Sequence, residues 1–163
     1  MSTLERNLGS VEGIVDVSIL VPTCFENPLR EDSVNFISKV LTQRRKAVMP
    51  LFTVIGAYHI TTRYLKVPKM YVKTTLTSMI RTGSQALFGL ITGKTASDAL
   101  DYASSYGIES WDGILVALCR SMGSTIIYSL DQDLNRVKEI TVVNPFQEEK
   151  VQKYHKYINS LIG

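Results

Sequence analysis

Apolar positions recur along this chain at two periods, and the alternation between them predicts its elements. The run VEGIVDVS (Val11 to Ser18) is apolar through its middle and predicts a short buried strand ending near Asp16. NPLREDSVNFISKVLTQRRK follows, with Val34, Ile37 and Leu41 at helical spacing and Asn27-Pro28 as a start signal. AVMP (Ala47 to Pro50) predicts a second short strand. In LFTVIGAYHITTRYL, residues Leu51, Val54, Ile55, Tyr58 and Leu65 share one helical stripe. Pro68 restarts the chain, and Val72, Leu76, Met79 and Ile80 describe another amphipathic helix. ALFGLI predicts a buried strand. TASDALDYASSYG predicts a helix with Thr95 as N-cap, Asp98 at capping-box spacing and Gly107 as its stop. Trp111, Leu115, Leu118 and Met122 then form one face of a helix that Gly123 closes. TIIYS and ITVVNPF predict the last strands, and Val151, Tyr154, Ile158 and Ile162 mark a final helix.

Strands that are apolar throughout, separated by helices, predict a mostly parallel sheet covered on both faces. The expected architecture is a three-layer α/β/α domain with a C-terminal helix. With 163 residues, the chain has room for one domain with a real core. The expected division is an N-terminal tail over 1–10, the α/β domain over 11–146, and a helix over 147–163 packed on the same domain. No apolar run approaches the roughly 20 residues that span a bilayer. MSTLERNLGS has no apolar core of the signal-peptide kind, so a cytoplasmic location is expected. Cys24 and Cys119, each in an apolar segment, are expected as buried reduced thiols.

Net charge is +3, and its distribution is uneven. Between Ser33 and Ser97 there is no Asp or Glu, while Lys39, Arg44, Arg45, Lys46, Arg63, Lys66, Lys69, Lys73, Arg81 and Lys94 lie there. Such a one-signed block suits a polyanion or an acidic partner, or else solvated helix faces balanced by acids elsewhere in the fold.

Several motifs can be set aside. GLITGKT (Gly89 to Thr95) imitates a phosphate-binding loop but has one residue too few between its first Gly and the Gly-Lys pair. His59 and His155 are far apart in sequence and lack CxxC companions, so a structural zinc site is unsupported. Acids remain. Asp16 lies at the end of the first strand, Asp112 near the head of a helix, and Asp131 just after TIIYS, with Asp133 two residues on. In a doubly wound sheet, ligands gather beyond the carboxyl ends of the strands. Two carboxylates about 4 Å apart repel by roughly 4 kcal/mol at an effective dielectric of 20. A hard cation such as Mg2+ or Mn2+ removes that cost, because it prefers oxygen ligands of this kind.

The order and spacing of these segments resemble the PIN domain, the nuclease fold of VapC-type toxins, over roughly Gly13 to Phe146. IVDVSILV resembles that family's opening strand, with its first acid at Asp16 and a small polar residue at Ser18. ESWDGILVALCRSMG resembles the helix bearing the third acid, Asp112. TIIYSLDQDL resembles the strand and Ser/Thr-x-Asp segment bearing the fourth, Asp131, with Ser129 as its Ser. ITVVNPF resembles the closing strand with its Asn-Pro. The resemblance implies a metal-dependent ribonuclease using Asp16, Asp112, Asp131 and Asp133 to hold Mg2+ or Mn2+, with Ser18 and Ser129 behind them. It implies RNA as partner, an antitoxin protein, and a homodimer.

One position departs from the pattern. Where the family carries a Glu on the helix after the second strand, MPLFTVIGAYHI has Gly56. His59 and Arg63 share that helix face. His59 is either a substitute ligand or base, or a partly buried His with a backbone partner. Three functions are therefore open: a ribonuclease with a weakened site, a non-catalytic module that binds RNA or a protein, and a purely structural protein. Arg44, Arg45, Lys46 and Arg63 are the expected RNA contacts.

Overall fold

The computed structural model describes residues 10–163, so residues 1–9 of the expected N-terminal tail lie outside the described residues. Five short strands form the centre: β1 (Gly13–Val15), β2 (Ala47–Pro50), β3 (Leu87–Phe88), β4 (Ile126–Tyr128) and β5 (Thr141–Val143). All neighbours are parallel, in the order β3-β2-β1-β4-β5. The sheet is therefore wholly parallel. Ile14 pairs with Val48 on one side and Ile127 on the other.

Side chains alternate across this sheet, as period-2 geometry requires. Val15, Ala47, Met49 and Tyr128 pack into one core, while Ile14, Val48 and Ile127 pack into the other. The first core is covered by α1 (Val17–Leu20), α2 (Arg30–Leu41), α3 (Leu51–Arg63), α4 (Lys69–Arg81) and α7 (Glu148–Ile162). The second is covered chiefly by α6 (Ser110–Ser121), with α5 (Gly93–Tyr106) packed against it. Seven helices on two faces of one sheet make the three-layer α/β/α fold that the periodicity predicts. Cys24 and Cys119 are free and buried, and burial raises both thiols.

Two close approaches fix the helix and strand positions. A Cβ on Gly113 would stand 2.3 Å from the Ala99 carbonyl oxygen, so only glycine lets α5 and α6 cross here. A Cβ on Gly13 would meet the Ile126 oxygen and the Tyr128 ring, both at 2.9 Å.

The structure corrects several local expectations. The first strand, expected over Val11 to Ser18 and ending near Asp16, is Gly13–Val15, and from Val17 the chain turns into α1 and a 3-10 turn (Val21–Cys24) with Pro22 inside it. Helix α5 starts before Thr95: Thr92 is its N-cap, and its Oγ1 accepts from the Thr95 amide at 3.1 Å. The Gly-Lys pair of the false phosphate loop is thereby the first turn of a capped helix. Trp111 and Ile55, read as inward, are 68% and 67% exposed. Leu115 and Leu118 of the Trp111 stripe are buried, so the cover of α6 ends before its first turn. Val34 also faces solvent, and Ser33, Phe36, Ile37 and Val40 form the buried face of α2.

Candidate metal centre

In the order β3-β2-β1-β4-β5 the chain runs outward from β1 to β3 and then returns to β4. The crossover leaves a crevice between the carboxyl ends of β1 and β4, where doubly wound sheets bind ligands. Asp16 and Asp131 leave the sheet at this point. Asp16 follows β1 directly, and its amide donates to the Tyr128 carbonyl at 2.9 Å, extending the β1–β4 ladder by one bond. It is 5% exposed and forms the N-cap position of α1 without a side-chain cap bond.

Its carboxylate is held by hydroxyls. Ser18 Oγ donates to Asp16 Oδ2 at 2.8 Å, and Ser129 Oγ donates to the same oxygen at 2.7 Å. The two serines also tie the crevice walls to each other. Ser18 Oγ accepts from the Leu130 amide and Ser129 Oγ from the Asp131 amide, each at 2.9 Å. Ser129 is fully buried, and its own amide donates to Val143 of β5 at 3.1 Å. Asp131 Oδ1 in turn accepts from the Asp133 amide at 2.9 Å and caps the 3-10 turn Gln132–Arg136. Each of these small polar residues has a definite structural task, which the sequence pattern alone only hinted at.

Asp112 lies in the first turn of α6 and is half-buried. Burial pushes its carboxyl from 3.8 up to about 7, reinforced by Asp16, Asp131, Glu109 and Asp133 in that order. Asp112 is thus the carboxylate on which the charges of the other four act. None of them makes an ion pair among the described residues. Glu109, the exposed N-cap residue of α6, was not legible as a member of the group. Its signal is the three-residue spacing to Asp112 across the helix start, where N-cap and N3 side chains neighbour each other.

The donor set suits a hard divalent cation, because every donor is a carboxylate oxygen and no cation neutralises it. As the side chains stand, no three His, Cys, Asp or Glu residues among the described residues are grouped to hold a metal ion. Binding therefore requires side-chain rotation, and the exposed Asp133 and Glu109 have the freedom for it.

The other expected site residues fall into two groups, one on α3 and one at the start of β2. Gly56 sits on α3 beside α1; a Cβ there would meet only Val17 Cγ2, at an ordinary 3.6 Å. His59 is exposed and stands edge-on to Tyr64, with ring centroids 5.7 Å apart. Arg63, at the end of the same helix, is also exposed. Arg44, Arg45 and Lys46 precede β2, at the amino end of the sheet and so opposite the acids. Arg45 is engaged there: it pairs with Glu12 at 3.3 Å and lies over the rings of Phe36 and Tyr128, 5.3 Å from each centroid.

The model of the PIN domain family matches residues 14–140, most of the chain. A wholly parallel sheet with acids at its switch point agrees with that match, and the chain belongs to the PIN domain family. Membership points to a nuclease-type function, with RNA and divalent metal ions as that family's general substrate and cofactor. No curated protein matches the chain in sequence. No helix of the described residues is long and apolar enough to cross a membrane.

Proposed function

We propose that this chain is a divalent-metal-dependent ribonuclease of the VapC type, with a metal site weakened by glycine at position 56. The observation that carries the reading is the uncompensated group of Asp16, Asp112, Asp131, Asp133 and Glu109 at the switch point of the sheet. Asp16, Asp112 and Asp131, with Asp133 beside them, would hold Mg2+ or Mn2+. When bound, the ion supplies positive charge to a phosphodiester and lowers the pKa of an attacking water.

The chain's own residues do the rest. Ser18 and Ser129 orient the Asp16 carboxylate by two hydroxyl bonds, so its remaining oxygen keeps a fixed bearing on the crevice. Ser129 also anchors the Asp131 amide, which couples the first and fourth acids through one buried side chain. Asp112 carries a proton in the metal-free protein over much of the range below about pH 7. That proton relieves the repulsion and must leave when a cation enters, so metal binding releases protons and tightens with pH.

The test is a Mn2+ titration by calorimetry at two pH values, beside an RNA cleavage assay. The expected result is weak binding accompanied by proton release, and cleavage that Asp112→Asn abolishes. Metal-independent cleavage, or cleavage unaffected by Asp112→Asn, rejects the reading. The VapC likeness further carries an antitoxin partner, a homodimer and a cytoplasmic location. A second reading, a catalytically degenerate module binding RNA or a protein partner, is favoured by Gly56 and by the lack of a ready three-ligand group. RNA retention in EDTA without cleavage in Mn2+ selects that second reading.

A further inference from the structure

We infer that the outer face of α4 is a track for the phosphate backbone of RNA, separate from the acid crevice. The choice of RNA rests on the ribonuclease reading; the track itself rests on the helix. Val72 and Leu76 bury one face of α4, and Lys69, Lys73 and Arg81 are exposed on the other. With Thr77 these three occupy a single row at steps of four residues, about 18 Å long at the α-helical rise. Lys73, Thr74, Thr77, Ser78, Arg81 and Thr82 line a shallow depression along it.

The row runs against the ordinary rules for a solvated helix. Lys69 opens α4, where the macrodipole disfavours a cation, and no acid stands in the first turn. Lys69 and Lys73 are like charges at i and i+4, which also opposes the helix. Helices α7 and α2 follow the rules: α7 begins with Glu148 and Glu149 and pairs Glu149 with Lys153, and α2 has Glu31 and Asp32 in its first turn and Lys39 in its last. Helix α5 has Lys94 in its first turn, but there Asp98 answers it at 2.7 Å. Among the described residues, Lys69, Lys73 and Arg81 have no ion-pair partner. The acid linked to this helix through Arg30 is Glu26, and Arg30 itself answers it while donating to Tyr71 Oη at 2.7 Å. The charge of the row is thus unopposed.

The chemistry of the lining decides the ligand. Thr74, Ser78 and Thr82 donate their hydroxyl protons inward, to the carbonyls of Met70, Thr75 and Met79 at 2.9, 2.6 and 2.7 Å. Those three offer only acceptor lone pairs to a ligand, so the donors to phosphate are Lys73, Arg81 and the Thr77 hydroxyl. The depression itself has no aromatic or aliphatic anchor of the kind that carries protein interfaces. A file of cations at regular spacing suits a chain of phosphates.

The test is fluorescence anisotropy of a labelled oligouridine in EDTA, so that no metal-dependent step interferes. Lys73→Gln with Arg81→Gln should weaken binding about tenfold and flatten the slope of log K against log salt by about 1.4, the value for two single-strand phosphates. Lys73→Glu with Arg81→Glu should weaken it further. Lys138→Gln with Lys156→Gln removes the same charge from two other exposed positions, unpaired among the described residues, and should change affinity less than about threefold. Equal losses in the two Gln pairs, an unchanged slope, no RNA binding by the parent, or competition by polyglutamate as effective as by RNA would each overturn the inference. The two readings fail separately. Track-dependent binding without metal-dependent cleavage removes the ribonuclease reading alone, and metal-dependent cleavage with track-independent binding removes the track alone.

Discussion

Replacing Asp112 by Asn should make the metal-free protein more stable near pH 8 and leave it almost unchanged near pH 4. The Asp112 carboxyl rises from 3.8 to about 7 on folding, first through burial and then through Asp16, Asp131, Glu109 and Asp133. A folded pKa above the unfolded one means that the native state holds a proton the unfolded chain has released. Stability therefore falls as pH rises from about 4 to about 7, and the whole deficit is present above that window. A shift of this size corresponds to about 4 kcal/mol if undiminished. Asp112 is only half-buried, so solvent screening reduces it to roughly 1–2 kcal/mol.

Asparagine keeps the shape and removes the charge. For a domain of this length the gain should raise Tm near pH 8 by about 2–8 °C. Thermal unfolding in EDTA, followed by circular dichroism for parent and variant across this pH range, measures it. Adding Mn2+ should then reverse the order, raising the parent's Tm and leaving the variant's nearly fixed, because a ligand that binds only the native state stabilises it. An Asn variant no more stable than the parent near pH 8, or one equally stabilised near pH 4, would refute the charge-cluster reasoning.

Three further outcomes are expected. Gly56→Glu should tighten Mn2+ binding about tenfold and raise ribonuclease activity, since the new Cβ meets only Val17 and a mid-helix glycine costs about 0.5–1 kcal/mol relative to Ala; calorimetry and a cleavage assay report both. Gly113→Ala should destabilise the fold by about 1–3 kcal/mol in urea, because its methyl would overlap the Ala99 carbonyl and push α5 from α6. Arg45→Ala should cost about 1–2 kcal/mol in the same assay by removing the ring contacts and the Glu12 pair, with little effect on metal affinity.

Much of the fold was legible because its strands are buried on both faces, which makes them apolar without alternation in polarity. Ile14, Val48 and Ile127 are fully buried, as are Val15 and Met49 on the opposite face, so the three central strands stood out. Helix faces were less legible. Trp111 keeps perfect spacing with Leu115 and Leu118 yet faces solvent, since periodicity gives a stripe but not where along the helix its cover ends. The acids Asp16, Asp112 and Asp131 could be found from strand ends and order. Glu109 could not, because its membership depends on how α6 enters the crevice rather than on a motif. The basic turn Arg44 to Lys46 was visible as charge, but its place at the amino end follows only from strand direction.

That division between the two ends of the sheet explains how one small domain carries such unequal electrostatics. At the amino end Glu12 and Arg45 answer each other. Glu12 Oε1 accepts from Arg45 and from Tyr128 Oη, Ser124 Oγ donates to the Glu12 carbonyl at 2.8 Å, and Arg45 lies over the rings of Phe36 and Tyr128. The network is closed and has no need of a ligand. At the carboxyl end Asp112 bears the charge of four other carboxylates, and only hydroxyls and amides hold Asp16 and Asp131. Hydroxyl bonds orient a carboxylate but leave its net charge in place, so the repulsion remains until a proton or a cation removes it. Ser18 and Ser129 keep Asp16 facing that repulsion instead of letting it turn to solvent. An arrangement that holds like charges near one another with neutral donors opposes folding of the free protein and favours whichever arrives to relieve it, a proton or a cation.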